Sequence, residues 1–289
     1  MGFDGSQPAS MAVAWAVREV AVRGCGLTLV HALLPPVTTG GLGVGLPPSL
    51  ELIDELEQQA KDQLEAVAAD LDCDDVTTLI AVGSPSAVLL EASETADLVV
   101  LGSRGRGGFT GLLLGSVGAQ VAAHAACPAI VIRATARPDA HQIVVGIDGS
   151  AASEAALAFA FDEASRHGWD LIALHAWDVP AYDLLIVPNG PVPIPLAGVA
   201  DDEVRLAAEA LAGFRDDFPD VSVEERLVRS AAVRALLTAV DNPAMIVVGS
   251  RGHGPTIGAL LGSVSNGVLH KAKVPVAVIP LVDSGPRAA

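Results

Sequence analysis

The sequence predicts two tandem α/β domains, each a doubly wound, five-stranded parallel sheet. Three observations carry this expectation: the length, a whole-domain repeat, and the alternation of solid apolar runs with helical segments. At 289 residues the chain holds two domains by a soft prior of about 150 residues each. The repeat is direct. Gly2-Phe3-Asp4-Gly5-Ser6 returns as Gly146-Ile147-Asp148-Gly149-Ser150, 144 residues later, and LTLVHA ending at Ala32 returns as LIALHA ending at Ala176 with the same offset. VVLGSRGRGG and LLLGSVGAQV return as IVVGSRGHGP and ALLGSVSNGV, 147 residues later. A period this long is a whole domain rather than a solenoid unit. The expected domains are 1–136 and 141–283, joined by the linker ATARPDAH at 134–141.

The elements follow in order. In the second half, Gln142–Ile147 is a Val/Ile-rich run and reads as a buried strand. Ser150 is placed to cap the next helix, where Ala155, Ala156, Phe159 and Ala160 recur at helical spacing. Asp170–His175 is the second strand, and the Pro-rich Val179–Gly198 is expected as a long loop. Asp201–Phe214 (helix), Val221–Val228 (strand), Ala231–Val240 (helix), Ala244–Val248 (strand), Gly262–Lys271 (helix) and Val274–Ile279 (strand) complete the unit. The first half repeats the pattern with Met11–Arg23, Leu27–His31, Leu50–Leu71, Val76–Val82, Ala87–Ser93, Leu98–Leu101, Ser116–Ala126 and Ala129–Ile132. Runs that are apolar throughout are covered on both faces, and strand–helix alternation makes the sheet parallel. Such sheets bind ligands at the carboxyl ends of their strands, beside the switch point. The first half has one irregularity: only Met1, Gly2 and Phe3 precede Asp4, where Gln142–Ile147 precede Asp148. Either the central strand begins upstream or the domain tolerates a stub.

Composition narrows the function classes. Lys and Arg number 17 against 34 Asp and Glu, a net charge of −17 with three lysines in all. That speaks against nucleic acid as a partner, which requires clustered cations. No stretch of about 18 uncharged apolar residues is present, so no membrane span is expected. The amino terminus has no leader pattern. Cys25, Cys73 and Cys127 are odd in number and far apart, as in a reduced, cytoplasmic protein.

The chemistry-bearing pattern is Gly-x-x-Gly, nine residues, then Gly-Ser, once in each half. It comprises Gly102, Gly105, Gly115 and Ser116, then Gly249, Gly252, Gly262 and Ser263. Each loop leaves an apolar strand and ends where a helix begins. Glycine lets backbone approach a phosphate and turn at positive φ, and a helix N-terminus offers free N–H groups and a favourable dipole. Ser116 and Ser263 are placed to cap their helices and reach a phosphate, and Arg104, Arg106 and Arg251 supply charge. Taken alone, one such loop could equally be only a turn; two copies in register, each with an Asp after the first strand, favour a ligand. The pattern is neither the Gly-Lys phosphate loop nor Gly-x-Gly-x-x-Gly. His31 and His175 read as hydrogen-bonded strand ends rather than catalytic groups.

These residues resemble the ATP-binding branch of the universal stress protein family, over nearly the whole chain, in a tandem arrangement like that of actinobacterial members. The resemblance implies the adenine nucleotide alpha hydrolase-like, Rossmann-like fold and one ATP site per domain. Gly2 and Asp4, with Gly146 and Asp148, match the adenosine side, and Ala32 and Ala176 match the position whose backbone meets adenine. Gly102, Ser103, Arg104, Gly105, Arg106 and Gly107 match the ribose and phosphate loop, as do Gly249, Ser250, Arg251, Gly252, His253 and Gly254. Gly115, Ser116 and Val117, with Gly262, Ser263 and Val264, match the phosphate-binding helix start. Mg²⁺ bridging the phosphates is compatible with this, without a protein cage. The resemblance also implies a pseudo-dimer of the two halves through their last strands, and leaves a further homodimer open. Arg229 in place of Gly83, His253 in place of Arg106 and Pro255 in place of Gly108 depart from symmetry and imply unequal sites. No hydrolytic motif is present, so a nucleotide-dependent regulator is favoured over an enzyme. The alternatives are slow ATP hydrolysis and a scaffold that docks partners through Pro35–Pro48 and Val179–Gly198.

Overall fold

The computed structural model describes residues 1–34, 38–39, 45–46, 49–106, 114–134, 137, 139–177, 184–187, 190–193, 205, 208, 210–252 and 261–281. The chain divides into two compact units, Met1–Thr135 and Ala136–Ala289.

In the first unit, α1 (Gln7–Arg23) begins at Ser6, whose side chain accepts from the Ala9 N–H, and ends on the left-handed Gly24. Proline at the first turn and glycine past the last are the residues that start and stop a helix at least cost. Next come β1 (Leu27–Leu33), a two-residue antiparallel pair β2 (Thr38–Thr39) and β3 (Gly45–Leu46), and α2 (Leu50–Ala69), capped by Ser49. Then follow β4 (Val76–Val82), α3 (Pro85–Ser93), β5 (Val99–Gly102), α4 (Ser116–His124) and β6 (Ala129–Ile132). Strand β1 pairs in parallel with β4, and β5 with β6.

Residues 1–3 stand between these pairs. Gly2 bridges in parallel to both Val30 of β1 and Leu101 of β5. The Gly2 N–H donates to Val100 O (3.0 Å), the Phe3 N–H to Val30 O (2.8 Å), and the Val30 N–H to Met1 O (2.8 Å). These three residues hold the central position and satisfy backbone groups on both neighbours, as buried backbone demands.

The second unit repeats the plan with a full central strand. It runs β7 (Gln142–Ile147), α5 (Ala151–His167), β8 (Asp170–Trp177), β9 (Leu184–Val187), β10 (Gly190–Pro193), a helix described over 210–217 (α6), β11 (Val223–Arg229), α7 (Ala232–Thr238), β12 (Met245–Gly249), α8 (Ser263–Lys271) and β13 (Val276–Ile279). The order β11-β8-β7-β12-β13 is parallel throughout. Ile143, Val144 and Val145 are wholly buried, as expected of a central strand covered on both faces. The chain leaves β7 to one side for β8 and joins β12 on the other, so the switch point lies at the carboxyl ends of β7 and β12. Phe161, fully buried, stacks on Phe214 and Phe218 with ring centroids 5.3 and 5.5 Å away. This fastens α6 to α5.

Two expectations are corrected. Val179–Gly198 is not wholly loop: β9 and β10 pair antiparallel, with Val187 opposite Gly190. The proline content obscured this pair. Pro35–Pro48 likewise contains the β2–β3 pair. The acidic start of the helix expected at 201 lies outside the described residues.

Candidate functional site

In the first unit, the carboxyl ends of the central stub and β5 open onto a cavity of about 650 Å³. Gly2, Asp4 and Ala32 line it from the central strands. Gly102, Ser103, Arg104, Gly105 and Arg106 line it from the loop after β5, and Gly115, Ser116 and Val117 from the start of α4. Gly107 lies outside the described residues.

The glycines act here by letting protein approach protein. None of the described motif glycines has a positive φ, contrary to the turn geometry expected for them. A Cβ on Gly102 would lie 2.6 Å from the Pro8 carbonyl carbon, in the first turn of α1. A Cβ on Gly105 would lie 2.5 Å from Asp4 Oδ2. That oxygen accepts the Arg106 N–H at 2.8 Å, while Oδ1 accepts the Ser6 N–H at 3.0 Å. Asp4 therefore ties the glycine loop to the start of α1. Ser6 Oγ adds a bond to Arg104 O at 3.3 Å. Burial pushes the Asp4 carboxyl up, but the Ser6 and Arg106 hydrogen bonds and the Arg106 charge outweigh it and hold it below its ordinary value.

At the helix start, the N-cap is Gly115 and no side chain caps α4. Ser116 is the first helical residue rather than the cap, which corrects the expected role. The Gly115 N–H is held by Ser103 O at 2.8 Å. The next N–H groups, of Ser116, Val117 and Gly118, have no acceptor within the helix, because a first turn has none. Uncapped amides, a helix dipole and two arginines thus meet in one concavity, an arrangement that favours negative charge.

The second unit builds the same corner. Gly146, Asp148 and Ala176 line its cavity, with Gly249, Arg251 and Gly252 from the loop and Gly262, Ser263 and Val264 from the helix start. Ser250 does not line it: it is buried, donates to Ile279 O at 2.7 Å and accepts from the Gly262 N–H at 2.8 Å. His253 and Gly254 lie outside the described residues. A Cβ on Gly249 would meet the Ala152 carbonyl oxygen at 2.7 Å, and one on Gly252 would collide with Asp148 Oδ2. Asp148 Oδ1 accepts the Ser150 N–H and hydroxyl at 3.0 and 2.6 Å. Gly262 is the N-cap of α8, again without a side-chain cap, and Ser263 follows it. The second cavity is smaller, about 180 Å³.

His31 and His175 behave as strand-end latches. Each Nδ1 lies 2.8 Å from a carbonyl of the central strand, Phe3 O and Ile147 O respectively. Sequence reasoning missed the apolar wall of the first cavity, to which Leu34, Pro85 and Leu89 contribute. The signal available for Leu89 was Gly2, whose absent side chain leaves room for it: a Cβ there would lie 2.9 Å from Leu89 Cδ1.

A model of the universal stress protein family matches residues 1–133 and again 140–280. The chain belongs to the universal stress protein family. It is 36% identical over 290 residues to a universal stress protein of Mycolicibacterium smegmatis, covering 96% of this chain and 95% of that one. It is 38% identical over 288 residues to one of Mycobacterium tuberculosis H37Rv, with the same coverage. Among solved structures, a universal stress protein from Archaeoglobus fulgidus DSM 4304 matches 98% of this chain and 96% of its own, with TM-score 0.68 and 21% identity, and so shares the fold. As a tandem universal stress protein, this chain carries the family's domain twice. Among the described residues, no helix is long and apolar enough to cross a membrane.

Proposed function

We propose that this universal stress protein binds ATP at the carboxyl ends of its sheets, with a nucleotide cradle in each domain, and regulates a cytoplasmic stress or dormancy response by its occupancy. The first cavity carries the reading. Its volume of about 650 Å³ falls within the roughly 300–1,000 Å³ of small-molecule sites. One end is apolar, and the other presents uncapped amides and arginines. Base and ribose suit the first, a triphosphate the second. Ala32, on β1, stands where backbone groups meet the adenine edge.

The same geometry favours a sensor over a hydrolase. Among the described residues, the carboxylate lining the first cavity is Asp4, and both its oxygens accept backbone hydrogens. A carboxylate so engaged is poorly placed to take a proton from water. A magnesium ion accompanying the phosphates would draw its ligands mainly from phosphate oxygens and water.

Mass spectrometry of material released by denaturing the purified protein tests the ligand, and calorimetry tests the affinity. Retained adenine nucleotide, or saturable ATP binding that weakens in Gly105→Ala, supports the reading. Absence of binding at millimolar ATP overturns it.

A further inference from the structure

The two domains end on edge strands of opposite character. Strands β4 (Val76–Val82) and β11 (Val223–Arg229) hold the same place, 147 residues apart. Among the described residues each pairs on one side alone, β4 with β1 and β11 with β8. An open edge is a row of unpaired backbone groups, and proteins ordinarily protect it with charge, proline, a bulge or brevity. β11 is protected by charge. Arg226 donates to both oxygens of Glu224, at 2.6 and 2.8 Å, and Arg215 lies 3.6 Å from Glu225. β4 has no such protection. Thr77, Thr78 and Leu79 stand where β11 has Glu224, Glu225 and Arg226, and its seven residues include no charge, glycine or proline. Its register against β1 runs without a bulge from Val76 to Val82. Leu79 and Val82 are 43% and 51% exposed.

The backbone of β4 divides its hydrogen bonds between two sides. Asp75 O accepts from the Leu27 N–H, and the Gly83 N–H donates to Leu33 O, both at 2.8 Å. Backbone groups alternate sides along a strand, so the odd-numbered residues face β1. Val76, Thr78, Ile80 and Val82 therefore direct their N–H and C=O groups to the open edge. Set antiparallel to a second β4, with Leu79 opposite Leu79, this edge matches itself. Thr78 meets Ile80 and Val76 meets Val82, and these outward-facing residues are the ones that must exchange hydrogen bonds. The two Leu79 side chains then meet at the closer, non-bonded spacing. Charge agrees with this alignment. Asp74 and Asp75 of one copy run toward Gly83 and Ser84 of the other, at the start of α3, where a helix dipole favours carboxylate. In parallel alignment the acidic segments of the two copies would lie side by side.

We propose that the β4 edge joins two copies of this chain by antiparallel strand addition, about a twofold axis at Leu79. The net charge of −17 makes the copies repel at long range, so the dimer should tighten as salt is raised.

Sedimentation equilibrium of the full chain tests it. The wild-type mass should rise with concentration from 29.3 kDa toward twice that value. The double variant Thr77→Glu, Leu79→Arg places the β11 ion pair on β4 at exposed positions. It should weaken the dimer about tenfold or more, because the twofold axis repeats every loss. Thr78→Pro removes an outward N–H and leaves the ladder to β1 in place. It should weaken the dimer by about as much, an effect that apolar contact without strand pairing would not give. Hydrogen exchange should show protection in a peptide covering 76–82 that grows with protein concentration, while one covering 223–229 stays unchanged. A wild type that remains monomeric at all concentrations, a dimer that withstands the folded double variant, or a dimer that loosens with salt would each overturn the proposal.

Discussion

Both oxygens of Asp4 are engaged by the chain itself, and the consequences can be measured. Removing them in Asp4→Ala frees the Arg106 N–H and unties the loop. Hydrogen bonds to a charged group contribute about 1.5–3 kcal/mol, so ATP affinity should fall roughly tenfold or more in calorimetry. The pH dependence has a definite sign. The folded carboxyl titrates below its ordinary value, so its contribution is complete above the unfolded value of about 3.9. That contribution is lost as pH falls through the lowered folded value. Binding should therefore show no Asp4-dependent limb between pH 5 and 8, and Asp4→Asn should flatten the acid limb. The two loop glycines should part company in the same assays. Gly105→Ala drives a methyl against Asp4 and should weaken binding. Gly102→Ala drives one into the backbone of α1 and should lower stability by about 1–3 kcal/mol, read by denaturant unfolding. The positions of these glycines were legible in the sequence because they occur twice. Their reasons were not, since the atoms they avoid belong to residues about 100 positions away.

The helices that close the glycine loops start differently from those that follow the central strands. Helices α1 and α5 are capped by Ser6 and Ser150, whereas α4 and α8 begin at the uncapped Gly115 and Gly262. An uncapped start leaves its amides to a ligand, so a cap should compete with one. Gly115→Asp has room, the nearest atom to its Cβ being Ser103 O at 3.5 Å. It should stabilise α4 by about 0.5–2 kcal/mol and raise the melting temperature, while abolishing ATP binding by occupying the amides with a like charge. The inner strands β5, β6, β12 and β13 were legible because each is an apolar run, and the cap at Ser150 because it stands just before helical periodicity. The start of α4 was misread because Ser116 looks like a cap. Only its backbone geometry shows that Gly115 takes that place. The pairing of residues 1–3 was not legible either, since the partners of Gly2, Val30 and Leu101, are remote in sequence.

Across the molecule, duplication has kept the corner and changed its capacity. If ATP seats in the first cradle, hydrogen exchange followed by mass spectrometry should show new protection in peptides covering 102–106 and 115–118. Peptides covering 249–252 and 262–265 should gain protection as well where the second, smaller cradle fills. Equal protection in both sets would argue for equivalent sites. The tandem plan was legible from the repeat alone, and departures such as Arg229 against Gly83 announced unequal sites but not their volumes, about 650 and about 180 Å³. The bond from Asp4 to the Arg106 amide has a last consequence. A rim moored to the sheet before any guest arrives has little disorder left to surrender, so capture should proceed with a modest entropic penalty. Severing the mooring should then appear in calorimetry as a larger adverse entropy, with the enthalpy of phosphate contact largely kept.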